Sequence, residues 1–159
     1  MSDARQLCTF YVDNLYLGIE SHWVQEFVRP QRMTQVPTAH PAICGIINLR
    51  GHVVTAFDLR KRLALRNHEH IDAAMNVIIH HEETLVSLLV DKIADVVKVE
   101  KEAFEPPPET LRGFTRQFIV GAYKLPNQLL LLLEPQKLLD IENNGPQESG
   151  GPGGMSYHA

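Results

Sequence analysis

Two apolar runs, Ile46 to Leu49 and His52 to Phe57, meet at Arg50-Gly51, and that corner limits the possible folds more than any other feature of the chain. Runs of four to six residues broken by turn residues have the length of strands, not of globular helices. The arrangement recurs. Leu7 to Val12 and Leu15 to Ile19 flank Asp13-Asn14, and Met75 to His80 and Leu85 to Val90 flank His81-Glu82-Glu83-Thr84. Phe118 to Lys124 and Leu129 to Leu133 flank Pro126-Asn127, and Val96 to Val99 adds a further short strand. Such a series predicts a small barrel or sandwich. The five-leucine run Leu129 to Leu133 has no polar alternation, so its strand is expected to be covered on both faces.

Helical signals are brief. Trp23 to Val28 fits both helical spacing and alternation, and reads as a helical turn entering a strand. Pro41-Ala42-Ile43-Cys44 reads as one helical turn closed by Gly45, where a left-handed cap is cheap. The Asp58 carboxylate is placed to accept the orphan amide protons of a short helix through Leu65. Pro106-Pro107-Pro108 cannot donate to a sheet and reads as a stiff extended connector. Pro135 opens a last helix with Leu138, Leu139 and Ile141 on its apolar side.

At 159 residues the chain is long enough to bury the core of one domain or of two small intertwined ones. Its formal charge of −4 gives no broad electrostatic footprint for nucleic acid or an anionic membrane. No stretch approaches the roughly 18 apolar residues of a membrane span, so a cytosolic protein is expected. Cys8 and Cys44 stand far apart, with no Cys-x-x-Cys pair, and read as reduced core thiols. From Asn143 to Ala159, glycine and proline supply seven of seventeen residues, too many to offset chain entropy, so residues 143–159 are expected to be a disordered tail.

Catalytic chemistry finds no support in the pattern. His68-Glu69-His70 and His80-His81-Glu82-Glu83 hold metal-ligating types, but neither has His-Glu-x-x-His spacing and both fall in predicted loops or turns. There is no Gly-x-Ser-x-Gly elbow, and the glycines of Gly150 to Gly154 follow no strand and open no helix. No catalytic residue, cofactor site or metal site is assigned. The basic cluster Arg60-Lys61-Arg62 with Arg66 has no interleaved aromatics and reads as a solvated helix face. Arg50 differs from these: on a tight corner it projects a planar, five-donor group from a rigid base, with Glu26 as a plausible ion-pair partner.

The order of motifs resembles the CheW family of chemotaxis adaptors. The resemblance runs through Phe10, Leu17-Gly18-Ile19, Val24-Gln25-Glu26, Pro37, Pro41, Gly45 to Gly51 and Asp58-Leu59-Arg60. It continues through Val90-Asp91, Asp95-Val96, Gly121 and Lys137-Leu138-Leu139. Thr55 stands where many relatives have proline, and Lys92 where many have glycine. The resemblance implies a mainly β fold of two intertwined SH3-like five-stranded barrels over residues 7–142, with short helices and a C-terminal helix. It implies an adaptor that is not an enzyme, coupling chemoreceptor cytoplasmic tips to the regulatory domain of a CheA-type histidine kinase, in the cytoplasm and recruited to receptor arrays at the inner membrane. No nucleic acid and no membrane insertion are expected. The partner-binding residues expected are Arg50 as the main anchor, with Glu26, Asn48, Leu49, Gly51 and Ile47, and Asp58 as a lesser member. Alternatives are a CheA-type pathway controlling pili or another output, a free-standing regulatory fragment of such a kinase, and a histidine-based metal enzyme or sensor.

Overall fold

The computed structural model describes residues 4–37, 40–66, 71–111 and 113–141, apart from the Phe114 side chain. The expected tail at 143–159 and the His68-Glu69-His70 cluster lie outside the described residues. Along the chain run β1 (Ala4–Val12), β2 (Leu15–Glu20), β3 (Val24–Val28), β4 (Met33–Thr34), β5 (Ile43–Leu49) and β6 (His52–Asp58). The short helix α1 (Leu59–Arg62) is followed by β7 (Met75–His81), β8 (Thr84–Val90), β9 (Lys92–Glu100) and β10 (Phe104–Glu105). The chain continues with β11 (Ile119–Lys124), β12 (Leu129–Leu133) and α2 (Pro135–Leu139).

These strands form two six-stranded sheets, ordered β10-β11-β12-β2-β1-β9 and β3-β7-β8-β6-β5-β4. Each has five long strands, as expected, plus one two-residue strand at an edge. Both sheets join two antiparallel hairpins by a central parallel pairing, β12 with β2 in the first and β6 with β8 in the second. The first sheet takes both its N-terminal hairpin and its C-terminal strands from outside the segment that builds the second, so the two units are interleaved along the chain.

Neither sheet is flat. A flat six-stranded sheet holds its outer strands about 24 Å apart at ~4.8 Å per strand. The edges β3 and β4 are joined by Arg29 to Arg32, and the edges β9 and β10 by Lys101 to Ala103. Such connectors reach at most about 17 and 14 Å when fully extended, so both sheets curl toward barrels.

Burial follows the curl. Leu7, Tyr16, Val99, Tyr123, Leu130 and Leu132 fill the first barrel, while Ile47, Leu49, Val54, Ala56, Ala74, Ile78 and Leu89 fill the second. The largest cluster lies between them and draws on both, from Phe10, Leu17 and Leu131 to Phe57, Val77 and Leu88. It holds 20 buried residues against seven and six in the barrel interiors, so most of the core is shared and the two units are stabilised jointly. Strand β12 shows this alternation: Leu130 and Leu132 face one cluster, Leu131 and Leu133 the other. Both faces are therefore covered as predicted, except at Leu129, which is 37% exposed.

Several local expectations are corrected. Ile43 and Cys44 already belong to β5, so no helical turn spans Pro41 to Cys44. Gly45 is required by close approach rather than by a cap, because a Cβ there would lie 2.5 Å from the Thr34 carbonyl oxygen. Helix α1 stops at Arg62, not Leu65. Ala64 takes a left-handed φ of 57°, and the amides of Leu65 and Ala64 donate to the carbonyls of Arg60 and Lys61, the bonding of a Schellman stop. Residues Gly113–Phe118 form a 3₁₀ turn, so β11 begins at Ile119, and β9 runs nine residues where four were expected. The helical turn before β3 is present as Ser21–Trp23.

Candidate functional site

The β5–β6 corner is built from the inside out. Ile47 and Leu49, 2% and 5% exposed, anchor the end of β5 in the second barrel. Asn48 lies between them and is exposed, and its Oδ1 accepts a hydrogen bond from the Gly51 amide at 2.9 Å. Arg50 and Gly51 have φ of 51° and 86°, the paired positive values of a type I′ hairpin turn. Glycine adopts that conformation freely. At Arg50 it costs on the order of 1 kcal/mol.

The side chain held in this conformation is 64% exposed. Arg50 Nη2 donates to Glu26 Oε2, reaching from the corner across the end of the barrel to β3 at the far edge of the sheet. Gln25 Nε2 donates to the same carboxylate oxygen at 3.3 Å. The hydrogen bond from Arg50 is the main influence holding the Glu26 carboxyl below its ordinary value, and partial desolvation opposes it. The result is an exposed cation on a braced turn beside a half-buried anion from β3.

Of the seven residues expected at the site, Glu26, Asn48, Arg50 and Gly51 meet at this surface. Ile47 and Leu49 do not, because they are core. The alternation of Ile47 and Leu49 with Asn48 was the signal that could have separated them. Asp58 is also removed: it is 2% exposed at the other end of β6, and its Oδ1 accepts from the amides of Arg60 at 3.0 Å and Lys61 at 3.4 Å as the cap of α1. A surface residue that the sequence reading missed is Val53, directly opposite Asn48 and 68% exposed.

The basic cluster is a solvated face only in part: Lys61 and Arg66 are exposed, as expected, while Arg60 and Arg62 are not. Arg60 grips Asp91 through two hydrogen bonds, 3.1 Å from Nε and 2.5 Å from Nη2. Asp91 Oδ2 also accepts the amide of Asp13 at 2.7 Å, and the Asp91 amide donates to the Tyr11 carbonyl at 2.9 Å. Arg66 donates to Asp13 Oδ1 at 3.0 Å. Asp58-Leu59-Arg60 and Val90-Asp91 thus clasp the second barrel to the β1–β2 corner of the first. Arg62 is 1% exposed and donates to the carbonyls of Leu138 (2.6 Å), Asp140 (3.0 Å) and Lys137 (3.1 Å), closing the C-terminus of α2. Its guanidinium lies 4.7 Å from the Phe118 ring centroid. Burial lowers its pKa to about 10, which leaves it charged at neutral pH.

A groove of about 840 Å³ lies where the second barrel meets α2, lined by Trp23, Leu139 and Ile141 with His81, Glu82 and Asp140 among its polar groups. His80 and His81 end β7 and are not loop residues, and Glu82-Glu83 alone make the turn. Among the described residues no group of three or more His, Cys, Asp or Glu could hold a metal ion, and no helix is long and apolar enough to cross a membrane.

A family model described as "CheW-like domain" matches residues 6–143. The chain belongs to the CheW-like family. It is 34% identical over 139 residues to a chemotaxis protein CheW of Bacillus subtilis, covering 87% of this chain and 89% of that one. It is 31% identical over 137 residues to a chemotaxis protein CheW of Treponema pallidum, covering 84% and 81%. The crystal structure of the scaffolding protein TtCheW from Thermoanaerobacter tengcongensis superposes with a TM-score of 0.76 at 23% identity, over 86% of this chain and 93% of that one, and supports the CheW-like fold.

Proposed function

We propose that this CheW-like chain is a scaffolding protein of chemotaxis that acts by binding and not by catalysis, coupling a CheA-type histidine kinase to the cytoplasmic tips of methyl-accepting chemoreceptors. The kinase's regulatory domain docks on the β5–β6 corner through Arg50, with Glu26 and Asn48 holding the arginine in position. The observation that carries this reading is the conformation of Arg50: a non-glycine residue kept at positive φ, braced by Asn48, with its guanidinium exposed. Backbone strain retained under an exposed side chain that the core does not use points to a role outside the fold.

The helical tip of the receptor is assigned to the mixed groove beside α2, its apolar side against Trp23, Leu139 and Ile141, in the manner of an amphipathic helix laid into a groove. The chain works in the cytoplasm and reaches the inner membrane only through receptor arrays. Calorimetric titration with the regulatory domain of a CheA-type kinase from the same genome tests the first contact. Wild type is expected to bind at micromolar Kd or tighter, and a folded Arg50→Ala protein to bind more weakly. Failure of wild type to bind any such domain ends the reading.

A further inference from the structure

The antiparallel and parallel registers of the second barrel place four outward-facing side chains in one row. Asn48 pairs with Val53 across β5 and β6, and Thr84 pairs with His81 across β8 and β7. Strands β6 and β8 run parallel with Thr55 opposite Val86, so two residues earlier Val53 comes level with Thr84. Residues two apart on a strand share a face, and Val86 and Ile79 in the adjoining row are buried in the shared core while the row through Val53 is left open. The open row runs from the Arg50 corner to His81, which lines the groove beside α2.

Parallel pairing has a second consequence. The corners that precede β6 and β8 lie side by side at the same end of the barrel. One carries Arg50 at φ 51°, the other Glu82 at φ 54° followed by exposed Glu83. Two left-handed non-glycine corners of opposite charge therefore flank one exposed valine. A lone exposed valine is ordinary on a protein surface. A valine between a braced cation and an acidic corner, in a row otherwise polar, has the composition of a small contact with an apolar centre and a charged rim.

We propose that Val53 is the apolar anchor of the kinase contact and that Glu82-Glu83 set its orientation. The partner surface would offer an apolar recess with a carboxylate toward Arg50 and a cation toward the acidic corner. The order of charges permits one docking direction, because turning the partner end for end juxtaposes like charges. The inference rests on the kinase reading above and adds to it the partner's chemistry and two contact elements.

The test uses the same titration with the full chain. Val53→Thr keeps size and β-branching and removes only apolar character; Val53→Asp introduces a charge; Glu82→Lys with Glu83→Lys reverses the corner. Circular dichroism and unfolding midpoints first establish that each is folded. Binding should weaken on the order of fivefold for Val53→Thr and tenfold or more for Val53→Asp and for the charge reversal, the last mainly through slower association. Wild-type binding that Arg50→Ala weakens but that all three of these variants leave unchanged overturns the inference while keeping the kinase reading. Absence of wild-type binding overturns both.

Discussion

Arg50–Glu26 and Arg60–Asp91 are pairs of the same chemistry at opposite ends of one barrel, each joining an arginine to a carboxylate distant in the sequence. Arg50 is 64% exposed and makes a single hydrogen bond to a carboxylate that also faces water. Arg60 is 14% exposed, bonds both oxygens of Asp91, and Asp91 in turn holds the Asp13 amide of the other barrel. In the first setting water and salt screen the attraction, and the arginine stays available to an incoming group. In the second the dielectric is lower and each donor is engaged, so the pair acts as a strut. Identical side chains thus end up either available at the surface or engaged as a strut, according to their exposure.

The contrast can be broken most forcefully at the strut. Arg60→Ala leaves Asp91 without its bidentate partner and loosens the β1–β2 corner, which predicts destabilisation of about 2–3 kcal/mol in urea titrations, with the kinase affinity of the remaining folded protein unchanged. Loss of kinase affinity without loss of stability would erase the distinction between the pairs. At the exposed pair the effects exchange places. Arg50→Ala should lower kinase affinity by on the order of 2 kcal/mol and leave the unfolding midpoint near wild type. A midpoint that falls as far as that of Arg60→Ala would make Arg50 structural.

A smaller effect of opposite sign sharpens the same point. Arg50→Gly relieves the left-handed strain and should raise stability by about 0.5–1 kcal/mol while binding is lost, a separation of fold from function at one residue. Smallest is the pH response of the exposed pair. Arg50 depresses the Glu26 carboxyl below its ordinary value of 4.5, so its contribution to stability is present above that pH and is lost as pH falls through the lower folded value. NMR titration should show the Glu26 carboxyl moving up toward 4.5 in Arg50→Ala; an unmoved carboxyl would mean that the pair does not form in solution.

Much of the fold was legible because its signals are local. Two-residue corners at Asp13-Asn14 and Arg50-Gly51, the Asp58 cap and the leucine run each announce themselves within a few residues. The geometry of the candidate site was legible in part: Glu26, Asn48, Arg50 and Gly51 meet at one surface, while the exposure of Val53 was not legible, since nothing in an apolar strand marks which end its neighbours leave uncovered. Ile47 and Leu49 were misassigned although their alternation with Asn48 already pointed inward. Arg62 carried no local sign at all; a cation in a basic helix reads as solvated until another helix brings carbonyls to it.

The sequence by itself determined most of the strands and their corners, the capped helix and membership of the CheW-like family, because hydrophobic periodicity, turn preferences and motif order are properties of neighbouring residues. Only the tertiary structure decided which arginine is a strut and which is displayed, that most of the core is shared between two barrels, and that two charged corners flank Val53. Those outcomes depend on the parallel pairings β12 with β2 and β6 with β8, which join residues far apart in the chain. Burial and dielectric, which set the worth of every charge, exist only after such pairings have formed.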